Sequence, residues 1–200
     1  ADSIQTAGIM GAGVQGLSQA RYLLFNRNIK TLYIYDLSNK AAMGMINTLK
    51  KEFADLEYVA AKTPGQLVSN SKVIIAATTS KTPLFESSPD NILGKTFISI
   101  GSFRPDMQEF PHIVIESADD IFVDTMFAAK ESGDIANPLK DNVIQKGEIK
   151  EFAGLLGKNE IFENRTIFFK SVGMALFDLT VASAVYQLAM EKKLGQKLDF

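Results

Sequence analysis

This sequence predicts an α/β fold, a doubly wound and mostly parallel sheet with helices on both faces. Three observations carry the prediction. Short β-branched and aromatic runs alternate with helical patterns along the chain. The run KVIIAA, residues 72–77, is nearly all apolar, as a strand buried from both sides requires. A G-x-G-x-x-G pattern, Gly11, Gly13 and Gly16, stands between the first strand and the first helix.

The elements follow in order. Residues 4–10 read as a short buried strand, and Leu17, Ala20, Leu23 and Leu24 mark the helix after the glycines. Residues 31–35 are a second strand ending at Asp36, and Ser38 caps the helix that begins NKAAMG. Strands are expected at 57–60, 72–77 and 96–100. Residues 112–115 are ambiguous, because β-branched side chains favour a strand while Pro111 favours a short helix. A further strand is expected at 121–124, then helical pieces near 125–132, 138–146 and 149–156, and a final strand at 166–170. Residues 173–193 read as one long helix, with Met174, Leu176, Phe177, Val181, Val185 and Leu188 spread over more than one side; packing on the sheet is the expectation, slightly ahead of packing on a further domain.

Composition narrows the function. The 200 residues are 46% hydrophobic and 22% charged, ordinary for a globular domain. A net charge of −2 offers no general attraction to nucleic acid or to an anionic membrane. No apolar run approaches a membrane span, and the opening ADSIQ lacks the features of a signal peptide. The absence of cysteine excludes disulfides and thiolate metal sites and fits a cytoplasmic location. No His/Asp/Glu group has metal spacing, and His112, the single histidine, reads as a surface residue rather than a catalyst.

The glycine pattern has a physical reading. Gly11 permits the tight turn, Gly13 lets backbone approach a pyrophosphate, and Gly16 lets helix and strand pack closely. The helix N-terminus offers free N–H groups to phosphates. Ala12, Val14 and Gln15 complete the loop. Asp36 lies 20 residues beyond Gly16, near the spacing for a carboxylate on the adenosine ribose. An acid there, followed by Leu37 rather than an arginine, favours NAD(H); Lys40 is near enough that NADP(H) stays open. Thr78, Thr79 and Ser80 follow a strand's carboxyl end, where ligands bind in such sheets, and an ordinary polar turn is the alternative.

Six stretches in order, GAGVQGLSQARYL, IYDLSNKAA, TTSKTPLF, IGSFRPDMQEF, FVDTMFAAKESGDI and FKSVGMALFD, resemble the ornithine cyclodeaminase/mu-crystallin family. The resemblance implies a Rossmann-type dinucleotide-binding domain over 1–200, closed by the long C-terminal helix. It also implies a second domain, mostly from sequence before the glycine loop, that makes a homodimer and supplies much of the substrate pocket. Ten residues precede Gly11 here, so the expectation is a cofactor domain alone, binding its cofactor weakly and turning over nothing. By position, the resemblance assigns Gly11, Ala12, Gly13, Val14, Gln15 and Gly16 to the pyrophosphate and Asp36 and Leu37 to the ribose. It assigns Thr78, Thr79 and Ser80 to a nucleotide-contacting loop. Gly101 and Ser102, with Lys170, Ser171, Val172 and Gly173, fall beside the nicotinamide. Asp178 matches a recurrent acid near the start of the last helix.

One departure selects a branch. In the cyclodeaminases an aspartate stands two residues before the proline that is Pro105 here, and this chain has Phe103. A phenyl ring accepts no proton and pairs with no ammonium. The chain therefore looks more like the reductases of cyclic imino acids such as pyrroline-2-carboxylate, or a related amino-acid dehydrogenase. The small-molecule substrate is then a cyclic imino acid or amino acid. A non-catalytic, dinucleotide-dependent binding protein of the mu-crystallin type is the alternative, and ornithine cyclodeamination the weaker third. No catalytic residue is nominated; Arg104 and Lys170 are the nearby cations.

Overall fold

In the computed structural model, residues 4–86, 88–158 and 162–196 are described. The strands are β1 (Thr6–Met10), β2 (Thr31–Tyr35), β3 (Glu57–Ala60), β4 (Val73–Ala76), β5 (Thr96–Ser99), β6 (Asp120–Val123), β7 (Ile149–Glu151) and β8 (Ile167–Lys170). The helices are α1 (Val14–Asn26), α2 (Asn39–Glu52), α3 (Pro64–Asn70), α4 (His112–Glu116), α5 (Ala128–Glu131), α6 (Gly133–Lys140) and α7 (Ala175–Glu191). The strands form one sheet in the order β3-β2-β1-β4-β5-β8-β6-β7, and every pairing is parallel. The chain winds outward from β1 to β3, then returns to the other side of β1 with β4. The gap between β1 and β4 is thus the switch point, where the loops after the two strands diverge and leave a crevice.

Local chemistry explains the central elements. All four residues of β4 are buried, and so are the last four of β1, which suits strands flanked on both faces. The Ser38 hydroxyl accepts from the Ala41 N–H at the start of α2, and Lys50 and Lys51 sit in its last turn, where the helix dipole favours cations. At α3, Thr63 caps and Pro64 takes the first turn, where its missing N–H costs nothing.

Two apolar clusters cover the two faces of the sheet. On one, Ile9, Leu32, Ile34 and Ile75 meet Ala20 of α1 and Ala42, Met45, Ile46 and Leu49 of α2. On the other, Ile74, Phe97 and Phe168 meet Leu67 of α3, Val114 and Ile115 of α4 and Ile135 of α6. The Phe110 ring stands edge-on to three others, Phe97 at 5.5 Å, Phe168 at 6.0 Å and Phe85 at 6.1 Å between centroids.

The structure corrects several expectations. Strand ends shift by one or two residues. Residues 112–116 resolve as the helix, started after Pro111. The helical pieces at 138–146 and 149–156 are not found. Instead α6 begins at Gly133, where the Ser132 hydroxyl accepts from the Asp134 N–H, and ends at Lys140. Residues 149–151 add an edge strand, followed by a 3-10 turn at Phe152–Leu155. The long helix does not pack on the sheet. No residue of α7 is buried, and Leu176, Leu179, Val181, Val185, Tyr186 and Met190 are each more than 60% exposed. No helix among the described residues is long and apolar enough to cross a membrane.

Candidate functional site

The glycine loop closes β1 onto α1. Gly11 sits at φ +97°, a conformation L side chains rarely adopt, and donates to the Tyr35 carbonyl at 2.8 Å. A Cβ at Gly16 would lie 1.9 Å from the Gly11 carbonyl oxygen, so only glycine lets the helix start this close to the strand. A Cβ at Gly13 would meet nothing within 4 Å, because that position opens into the crevice. No side chain caps α1, and its first turn carries no acid. The N–H groups of Val14, Gln15 and Gly16, in the first turn, therefore have no intrahelical acceptors.

Asp36, at the end of β2, is wired to this loop. Its Oδ2 accepts from the Ala12 N–H and its Oδ1 from the Ser38 N–H, both at 2.8 Å. A carboxylate has about four lone-pair sites, so about two remain for a ligand. Leu37 is 94% exposed beside it. The crevice between these loops measures about 580 Å³, and Gly11, Gly13, Asp36 and Leu37 line it with Thr78, Thr79 and Ser80. Seven of the residues expected from sequence thus share one cleft.

Ala12, Val14, Gln15 and Gly16 belong to the glycine loop itself, and Gly101, Ser102 and residues 171–173 follow the neighbouring strands β5 and β8. The hydroxyls of Thr78, Ser80 and Ser102 are committed within the protein: Thr78 donates to Glu109, Ser80 to the Thr82 carbonyl, and Ser102, fully buried, to the Met107 carbonyl. Ser102 shapes its loop and does not present a side chain to a ligand. A Cβ at Gly101 would lie 1.9 Å from the Thr78 carbonyl oxygen, so the loops after β4 and β5 touch through backbone. Asp124, at the end of β6, holds the segment after β8: its Oδ2 accepts from the Ser171 hydroxyl and from the Val172 and Gly173 N–H groups, each at 2.8 Å. Asp178 lies exposed in the first turn of α7, where a negative charge suits the helix dipole.

Both nearby cations are engaged. Lys170 is fully buried, and its Nζ donates to the Ser99 hydroxyl at 3.0 Å and the Ser99 carbonyl at 3.3 Å. Burial pushes the Lys170 ammonium down from its ordinary value, against the pull of Asp134, Glu109 and Asp124. Arg104 is exposed, 3.3 Å from Asp106, with its guanidinium 5.9 Å from the Phe103 ring centre. His112 is half-buried at the start of α4, 3.9 Å from Asp141, and is not among the residues that line the crevice.

Comparison with known proteins agrees with this fold. The model of the ornithine cyclodeaminase/mu-crystallin family matches residues 1–193. The chain belongs to that family. Among family relatives, a Delta(1)-pyrroline-2-carboxylate reductase of Bacillus cereus (strain ATCC 14579) is 30% identical over 201 residues, covering 98% of this chain and 61% of the relative. An alanine dehydrogenase of Archaeoglobus fulgidus is 29% identical over 199 residues, covering 96% of this chain and 59% of the relative. The structure of Thermococcus litoralis Delta(1)-pyrroline-2-carboxylate reductase in complex with NADH and L-proline superposes with a TM-score of 0.88 at 29% identity, over 99% of this chain and 62% of that one. The chain thus spans about three-fifths of the length of these family relatives.

The acids Glu109, Asp124 and Asp134, with Ser99, were missed in the sequence. One signal was available. Asp36 and Asp124 both end an apolar strand, in IYD and FVD, and each binds backbone of the loop beyond the adjacent parallel strand.

Proposed function

We propose that this chain is the NAD(H)-binding unit of a reductase of cyclic imino acids of the pyrroline-2-carboxylate type. The observation that carries the proposal is the switch-point crevice, with open Gly13 on one side and the Asp36 carboxylate on the other. The groups present fit a dinucleotide. Unpartnered N–H groups at the start of α1 suit the pyrophosphate, and the uncommitted lone pairs of Asp36 suit the ribose hydroxyls. A bound nicotinamide supplies the hydride that reduces a C=N carbon. The chain's own part is to bind and orient. Gly101 and residues 171–173, at the ends of β5 and β8, are the segments proposed to face the nicotinamide ring.

Phe103 supports reduction over cyclodeamination, because its ring neither accepts a proton nor pairs with an ammonium. Lys170 and Arg104 are both engaged, so the substrate carboxylate is assigned to cations of a second domain in the intact protein. The uncovered apolar α7 is a face suited to that domain, and a homodimer is the proposed assembly.

Two results test this reading. Asp36→Ala is expected to weaken NADH by about tenfold and NADPH less, since only NADH uses that acid fully; a larger loss for NADPH would reverse the preference. In the intact protein, pyrroline-2-carboxylate is expected to drive oxidation of NADH. Cofactor binding without oxidation would favour a ligand-binding protein instead.

A further inference from the structure

Beside the crevice lies a buried polar cluster of Ser99, Glu109, Asp134 and Lys170. Glu109 is fully buried and accepts five hydrogen bonds. Its Oε1 accepts from the Thr78 N–H at 2.6 Å and the Thr78 hydroxyl at 2.9 Å. Its Oε2 faces the Gly101 N–H at 2.8 Å, the Ser102 N–H at 3.2 Å and the Ser99 hydroxyl at 2.9 Å. One carboxylate thus fastens the loop after β4 to the loop after β5. Asp134, 2% exposed, accepts at Oδ1 from the Glu109 and Phe110 N–H groups, at 2.9 and 3.0 Å. Its Oδ2 lies 2.6 Å from the Ser99 hydroxyl oxygen.

Counting hydrogens at Ser99 constrains where a proton can sit. The Ser99 hydroxyl has one hydrogen and three close partners: Lys170 Nζ, Glu109 Oε2 and Asp134 Oδ2. The lysine donates to it. The hydroxyl can donate to one carboxyl group only, so the other must donate to it. Glu109 Oε2 already faces two backbone donors, which leaves no room for a hydrogen there. Asp134 Oδ2 has no such competitor. A protonated Asp134, an ionised Glu109 and a charged Lys170 satisfy every contact and leave the three groups neutral in sum, as burial demands.

We propose that Glu109 is a positioning residue for the dinucleotide site, clamping the loops after β4 and β5, and that a proton resident on Asp134 holds the clamp in its acceptor state. The proposal rests on the NAD(H) reading only for its binding readout. Burial pushes the Asp134 carboxyl above its ordinary value, against the pull of Lys170, the contact with the Ser99 hydroxyl and the Phe110 N–H, with Glu109 pushing it further up. The charged groups facing Asp134 are Lys170 from β8 and Glu109 ahead of α4, and Lys170 is in turn faced by Asp124 from β6. The sign for stability follows. The Asp134 contribution is fully present below the ordinary value of 3.8 and is lost as pH rises through the raised folded-state value. Lys170 contributes stability that is present above 10.5 and lost as pH falls through its lowered value.

The test compares Glu109→Gln with Asp134→Asn. An amide at 134 reproduces the proposed pattern, with Nδ2 donating to Ser99 and Oδ1 accepting from the two backbone amides. Asp134→Asn is therefore expected to fold, to bind NADH within about threefold of the parent chain, and to lose less stability as pH rises from the acid range. An amide at 109 must point a donor at a donor. Glu109→Gln is expected to weaken NADH at least about tenfold and to speed hydrogen exchange at the Thr78 and Gly101 amides. Infrared spectra of the unliganded parent at neutral pH are expected to show a protonated-carboxyl band that Asp134→Asn removes. Loss of fold or of NADH affinity in Asp134→Asn equal to that in Glu109→Gln would overturn the proposal, as would absence of that band. If Glu109→Gln does not fold, the band and the Asp134→Asn result still decide. If the parent chain binds no NADH, the cofactor reading fails, while the band and the exchange rates still judge the clamp.

Discussion

Gly13→Val is expected to abolish NADH binding and leave the fold intact. The backbone at Gly13 has φ −82° and ψ −170°, extended values open to any residue. A Cβ there meets no protein atom within 4 Å. The cost to stability is therefore limited to a poorer helix cap, at most about 1 kcal/mol. The same open space is the cleft assigned to the pyrophosphate, so the valine methyls occupy ligand volume. A loss of at least about 100-fold, or roughly 2.7 kcal/mol, is expected in NADH affinity by calorimetry. Gly16→Val supplies the contrast. Its Cβ would lie 1.9 Å from the Gly11 carbonyl oxygen, and backbone cannot move aside as a side-chain tip can. A stability loss of at least about 3 kcal/mol is expected in urea titrations. Unchanged NADH affinity in folded Gly13→Val, or a harmless Gly16→Val, would contradict these roles for the two glycines.

Phe110→Ala is expected to cost about 3–5 kcal/mol of stability. The ring is 2% exposed, stands edge-on to Phe85, Phe97 and Phe168, and closes the core between β5, β8 and α4. Alanine leaves a cavity among three other rings, which cannot all collapse into it. For a chain of this size the loss corresponds to a fall in Tm of roughly 6–20 °C. The effect also reaches the crevice, because the Phe110 N–H bonds Asp134 and its neighbour Glu109 holds Thr78 and Gly101. Phe110→Leu, which fills most of the volume, is expected to cost less than half as much in the same urea titration. A loss below about 1 kcal/mol in Phe110→Ala would show that the aromatic cluster is not the anchor of this half of the sheet.

The sequence made the central sheet legible because a two-sided buried strand must be apolar throughout. β4, with VIIA, leaves little choice, and Thr31–Tyr35 and Glu57–Ala60 match the expected strands residue for residue. The glycine loop was legible because each glycine answers a separate steric demand. Edges were harder. β7 has three residues and one buried side chain, too little pattern to separate it from a helix. The helical piece expected from residue 138 begins instead at Gly133, after the Ser132 cap, and carries Pro138 in its interior. α7 misled for another reason. None of its residues is buried among the described residues, so its pattern records a surface rather than a core. The acids that organise the site were hidden because Glu109, Asp124 and Asp134 bind backbone amides and hydroxyls, and most of those partners lie far away in sequence. Lys170 had the look of a free cation at a strand end, yet parallel pairing with Ser99 places it in the interior.

The central claim is that the crevice between the loops after β1 and β4 holds NAD(H). It is tested most directly by calorimetric titration of this chain with NADH and, separately, with NADPH. Saturable NADH binding, tighter than that of NADPH, is the predicted result. No binding of either dinucleotide to the folded chain, or tighter binding of NADPH, would contradict the account.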